Sequence, residues 1–150
     1  ITQFFELIIH SEVELVYETH TLTAEHPHLV KWTEKTIKNL FLGKPFIHCD
    51  PFAFKLMELN GFKPYTELYT DELIEIYKSH NPTELINSHS NQTHWHTPLL
   101  RNINWLLDMG DEEWKERMEK VMEKVKYNHN RVNDLIFNST IMKYIKEDVE

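Results

Sequence analysis

The stretch Trp-Thr-Glu-Lys-Thr-Ile-Lys-Asn-Leu-Phe-Leu-Gly-Lys-Pro-Phe-Ile-His-Cys-Asp, from Trp32 to Asp50, constrains this chain most, because it reads as a helix delivered straight into a buried strand. Thr33 suits the N-cap, where its hydroxyl can accept a hydrogen bond from a free backbone N–H of the first turn. Ile37, Leu40 and Phe41 recur at helical spacing and predict one apolar face. Gly43 fits the left-handed position that stops a helix, and Pro45 follows where a helix cannot continue. Phe46, Ile47 and Cys49 then make a short apolar run, the pattern of a strand covered on both faces.

Lys35 is the odd residue of this stretch. It occupies the first helical turn, where the helix dipole is positive and backbone N–H groups lack partners. A cation there is mildly unfavourable unless an anion joins it, and the same place is a natural phosphate site. The plainer alternative is that Glu34 offsets Lys35 and both are solvated.

On either side, elements of both kinds alternate. Phe4, Phe5, Leu7, Ile8 and Ile9 predict a short helix, with a strand as the alternative. Val13, Leu15 and Tyr17 alternate with Glu12, Glu14 and Val16 and predict a strand ending at Glu18 and Thr19. Thr21 to Leu29 is polar, contains Pro27, and reads as a loop. After Pro51, the residues Phe52, Leu56, Met57 and Leu59 predict a short helix stopped by Asn60-Gly61. Phe62 to Leu68 is a candidate third strand. The order strand, helix, strand, helix, strand predicts an α/β, Rossmann-like parallel sheet of about three or more strands flanked by helices, with right-handed crossovers.

The second half reads as a helical tail. Glu72 to His80 carries Leu73, Ile76 and Tyr77 on one face, and Pro82 to Ser88 can add a turn or two. Asn87 to Pro98 reads as a polar loop rich in His and Asn. Leu99, Leu100, Ile103, Leu106 and Leu107 predict a helix ending near Gly110. Asp111 then caps an amphipathic helix marked by Trp114, Met118, Val121, Met122 and Val125. Val132, Leu135, Ile136, Met142 and Ile145 suggest a last helix. No Pro/Gly/Ser-rich linker divides the halves. The chain therefore reads as a single domain over residues 1–150, with a βαβ core in 1–69 and a mostly helical remainder in 70–150.

Composition narrows the function classes. Hydrophobic residues make up 41% and aromatics 12%, enough for a sizeable core. A formal charge of -8 argues against bulk binding to nucleic acid or to an anionic membrane, while leaving room for a local basic pocket. Cys49 is the sole cysteine, so no internal disulfide can form, which favours a reducing, cytoplasmic setting. No apolar run approaches the ~20 residues that span a bilayer, and no signal peptide is visible. The chain opens at Ile1 directly into apolar sequence, which suggests a fragment of a longer protein.

In an open parallel sheet, ligands bind beyond the carboxyl ends of the strands, near the helix N-termini that follow. Two such ends are visible, Glu18-Thr19 and His48-Cys49-Asp50. The Thr33-Glu34-Lys35 helix start lies on the connection between them, so all three are expected to face one crevice.

These residues carry a resemblance. Tyr17-Glu18, a polar loop, Thr33-Glu34-Lys35 and Gly43-Lys44-Pro45-Phe46-Ile47, in that order, resemble the donor half of fucosyltransferase-type glycosyltransferases. They are also similar to glycosyltransferase-like proteins of phages and large viruses, which pair Thr-Glu-Lys-Thr with Pro-Phe-Ile and then a Gly-Phe-Lys like Gly61-Phe62-Lys63. The resemblance spans roughly Ser11 to Tyr69. It implies a GT-B enzyme, two Rossmann-like halves around a cleft, with this chain as the half that binds a nucleotide-diphosphate sugar. By position Lys35 would contact the donor diphosphate, Glu34 the ribose, and Glu18 the nucleotide-sugar or the pocket wall, with Thr33 opening the helix. Thr19, His48 and Asp50 are further pocket candidates. Such enzymes often work without a metal or other cofactor, since a lysine and a helix end neutralise the leaving diphosphate. The acceptor is unspecified, and the catalytic base is expected in an upstream domain, without which the fragment would be inactive. The chain departs from the family at His48-Cys49-Asp50, where glycine is common, in a slightly shorter segment before Phe54, and in lacking an obvious arginine ligand. The alternatives are a non-catalytic α/β interaction domain that has lost the donor site and, further off, a small nucleotide- or phosphate-ester-binding protein.

Other constellations read as structure. His94 and His96, with His89 nearby, would point to opposite sides of an extended loop, and no cysteine or carboxylate completes a tetrahedral metal set. Trp95 is expected against the core. Cys49 reads as a small core residue rather than a nucleophile, because its neighbour His48 faces the other way on a strand. His48 is either part of a functional pair with Asp50 or a buried histidine held by the backbone. Glu116 and Lys120 are expected on a solvated helix face.

Overall fold

Among the described residues, a left-handed glycine ends each of the first two helices and sets the path of the chain beyond it. The structure, a computed structural model, describes residues 12–17, 34–49, 51–79 and 95–137. Helix α1 spans Glu34–Leu42 and stops at Gly43, whose φ is 65°. The Gly43 N–H donates to the Leu40 carbonyl and the Lys44 N–H to the Asn39 carbonyl, at 3.3 and 2.9 Å, the paired bonds of a Schellman cap. Helix α2, Pro51–Leu59, repeats the device. Gly61 has φ 73°, its N–H donates to Glu58, and the Phe62 N–H donates to Met57. Both glycine stops were expected from the sequence, because side chains carrying a Cβ rarely adopt this backbone conformation.

Strand β1 is Glu14–Val16 and strand β2 is Phe46–His48. They pair in parallel, with Glu14 opposite Phe46, Leu15 opposite Ile47 and Val16 opposite His48. Phe46, Ile47 and His48 are all buried, so the strand predicted after Pro45 is covered on both faces, and Cys49 joins the core as expected. Two three-residue strands cannot hold themselves together in water. Their stability comes from the helices around them. Among the described residues the chain is mostly helical, with this two-stranded parallel sheet and five α-helices.

The anticipated third strand is corrected. Phe62 to Leu68 forms no ladder, and its last residues make a 3-10 turn at Thr66–Leu68. Two causes are visible. Pro64 has no N–H to give a ladder, and the polar groups that remain are claimed by helix α5, Asp111–Phe137. Arg131 donates from Nε and a terminal nitrogen to the Asn60 carbonyl at 2.9 and 2.7 Å. The Tyr127 hydroxyl donates to the Gly61 carbonyl. Asn128 accepts from the Lys63 N–H and donates to the Lys63 carbonyl, both at 2.8 Å. Lys124 donates to the Pro64 carbonyl and the Thr66 hydroxyl and pairs with Glu67, and Arg117 donates to the Glu67 carbonyl. One face of α5 therefore does for residues 60–67 what a neighbouring strand would have done, hydrogen-bonding backbone groups along the segment.

The remaining helices build the core beside this clamp. Helix α3, Asp71–Ser79, starts under the Thr70 hydroxyl, which accepts from the Leu73 N–H, and buries Leu73 and Tyr77. Helix α4, His96–Leu107, begins two residues before Pro98, so the loop expected through Pro98 ends earlier; proline fits there because first-turn N–H groups have no helical partner. Trp95, expected against the core, is buried just before it. Asn102 of α4 is fully buried and makes a second amide clamp, accepting from the Thr70 N–H and donating to the Leu68 carbonyl. Buried residues from Val16 to Val132 form one contiguous cluster. Within it Phe54, Tyr69 and Tyr77 meet edge to face, with ring centroids 5.1 to 6.0 Å apart.

Other expectations differ from what is found. The face α1 turns inward carries Thr36, Asn39 and Leu40, whereas Ile37 and Phe41 are 44% and 51% exposed. From this stripe Thr36 reaches His48 of β2, and Gly43, one turn on, lies beside Val125 and His129 of α5. On β1 the buried residue is Val16, while Leu15 and, just past the strand, Tyr17 are exposed. Val132 and Leu135 continue α5 without a break, so within the described residues no separate last helix begins there. Glu116 and Lys120 do pair on a solvated face. The elements predicted at Phe4–Ile9, Thr21–Leu29 and Pro82–Ser88, together with Met142 and Ile145, lie outside the described residues.

Candidate functional site

The sequence directs attention to the pole of the βαβ unit where β2 ends and α1 begins. The two are joined there by a buried contact. The Thr36 hydroxyl and His48 Nε2 lie 2.9 Å apart in a hydrogen bond, and both residues are fully buried. Thr36 is in the first turn of α1 and His48 is the last residue of β2, so the amino end of the helix is pinned beside the carboxyl end of the strand. The β1 end is tied in as well, through the Cys49 N–H donating to the Val16 carbonyl at 2.8 Å.

His48 is held on every side. Its N–H donates to the Tyr69 hydroxyl at 2.8 Å, its carbonyl accepts from the Tyr77 hydroxyl at 2.9 Å, and its ring meets Phe46 edge-on at 4.9 Å. His48 is buried, with its ring on the Thr36 hydroxyl, while a pair with Asp50 lies outside the described residues. Such a network rigidifies the strand end, since the His48 N–H, carbonyl and Nε2 are each matched away from water. Among the expected contact residues, Glu34 is exposed and Lys35 half-buried, both in the first turn of α1 next to Thr36. Glu18, Thr19, Thr33 and Asp50 lie outside the described residues, so the full set anticipated for this crevice is seen only through Glu34, Lys35 and His48.

Sequence reasoning missed Thr36, Tyr69 and Tyr77. A signal for Thr36 existed. Thr36, Asn39, Leu40 and Gly43 follow i, i+3, i+4, i+7 spacing as regularly as Ile37 and Phe41 do, but two of the four are polar and do not register as a core stripe. The tyrosines carried no such signal, because only tertiary packing brings their hydroxyls 21 and 29 residues along the chain to the same backbone unit.

A cleft is found at the opposite pole. An open cavity of about 770 Å³ lies between Gly43, Lys44 and Pro45, ahead of β2, and Trp114, Met118 and Met122 on α5. Glu12, Lys115 and Glu119 complete its lining, and the Trp114 indole N–H donates to Glu12 at 3.0 Å. It therefore sits at the amino ends of the strands, away from Lys35.

Burial pushes the Tyr65 phenol up to about 12, against a smaller opposing pull from Asn128. This group belongs to the α5 clamp and not to either pole. Among the described residues no three His, Cys, Asp or Glu side chains are grouped to hold a metal ion, and no helix is long and apolar enough to cross a membrane. No family model, curated protein or solved structure matches the chain.

Proposed function

We propose that this chain is the donor-binding half of a GT-B-type glycosyltransferase, taking a nucleotide-diphosphate sugar at the amino end of α1. The observation that carries the reading is the buried Thr36–His48 bond, which sets Glu34 and Lys35 beside the carboxyl end of a parallel strand. That is where open α/β sheets bind ligands. The physics of the ligand fits. A diphosphate calls for a cation, which Lys35 would supply in the first turn of α1 where the helix dipole is positive, and a ribose diol calls for a carboxylate, which Glu34 or Glu18 would supply. Thr33 would start the helix, with Thr19 and Asp50 lining the same crevice. Charge neutralisation of the leaving diphosphate by Lys35 and the helix end requires no metal. The acceptor and the catalytic base would come from elsewhere in a longer protein, so the chain alone binds the donor without transferring the sugar.

A second reading, a non-catalytic α/β interaction domain, draws on a specific observation. Thr36 and the His48 ring are spent on each other inside the core and are not offered to a ligand.

One titration separates the two. A ligand that binds only the native state stabilises it by mass action, about 1.4 kcal/mol at ten times its Kd. For a chain of this size that raises Tm by roughly 3–6 °C. Thermal unfolding is followed in millimolar UDP and GDP, for the parent chain and for Lys35→Ala. The donor reading requires a shift that Lys35→Ala abolishes. An unmoved Tm, or a shift the substitution leaves unchanged, rejects it and favours the interaction domain.

A further inference from the structure

We draw no further inference here: the strongest candidate, the open apolar cleft between the start of β2 and the amino-terminal half of α5, floored by Pro45, Trp114, Met118 and Met122, carries nothing because its rim balances Lys44 and Lys115 against Glu12 and Glu119 and nothing in the structure shows what covers it.

Discussion

Replacing Asn128 by leucine tests whether the clamp from α5 holds residues 60–67. The Asn128 side chain is fully buried, and its amide meets both backbone groups of Lys63 at 2.8 Å. Leucine is similar in size but can make neither bond. Each lost hydrogen bond removes a net ~0.5–1.5 kcal/mol, and each backbone group left unmet adds a desolvation cost of ~1–3 kcal/mol if it stays dry. Lys63 itself is exposed, so water can reach part of the gap and the lower end of that range applies. The expected loss is about 2–4 kcal/mol, a fall in Tm of roughly 4–16 °C for a chain of this length. Urea unfolding followed by far-UV circular dichroism reads it directly, with an unchanged slope showing that the same surface is exposed in both proteins. Asn128→Asp sharpens the test. Its carboxylate keeps the acceptor for the Lys63 N–H but turns a second acceptor on the Lys63 carbonyl. Burial beside that carbonyl raises the folded carboxyl pKa, so the variant is most stable below the unfolded value of about 4 and loses stability as pH rises through the folded one. A leucine variant within ~0.5 kcal/mol of the parent, the size of an ordinary surface change, would refute the claim that α5 replaces a strand here.

Raising pH should destabilise the fold through Tyr65: its phenol titrates near 10.0 when free and about 12 in the fold, so stability is complete below pH 10 and declines towards pH 12. The contribution is on the order of 2–3 kcal/mol, and Tyr65→Phe should flatten that part of a pH–stability curve; an unchanged alkaline limb would contradict it. Thr36→Val keeps the β-branched shape and removes the hydroxyl bonded to His48 Nε2, with an expected cost of about 1–2 kcal/mol in urea unfolding and a smaller cost for Thr36→Ser. The Asn39 amide is fully buried with no hydrogen-bond partner among the described residues, so Asn39→Ala should raise stability by about 1 kcal/mol, relieved desolvation and better helix propensity outweighing a small cavity. A lower Tm in that variant would show that the amide is satisfied in solution.

Parts of the fold were legible because local chemistry decides them. Gly43 and Gly61 stop helices whatever surrounds them, since their left-handed backbone excludes most other residues. The run Phe46, Ile47 and Cys49 read as buried, and the spacing Trp114, Met118, Val121, Val125 read as a helix. The candidate site was legible at its outline, the first turn of α1 beside the end of β2, and illegible in its interior. Thr36 looked like one more polar surface residue, and the tyrosines that grip His48 come from an irregular segment and from α3.

By itself, then, the sequence determined where α1 and α2 stop, that a short strand follows Pro45, and that Lys35 stands in a first helical turn. Those features depend on backbone sterics and on periodicity within a few residues. Only the tertiary structure decided which stripe of α1 turns inward, that Phe62 to Leu68 is clamped by a helix instead of joining the sheet, and that His48 is a buried anchor. These depend on groups far apart in the chain meeting the same unsatisfied N–H or carbonyl. The residue that wins such a contact is set by the packing of whole elements, which no local window of sequence contains.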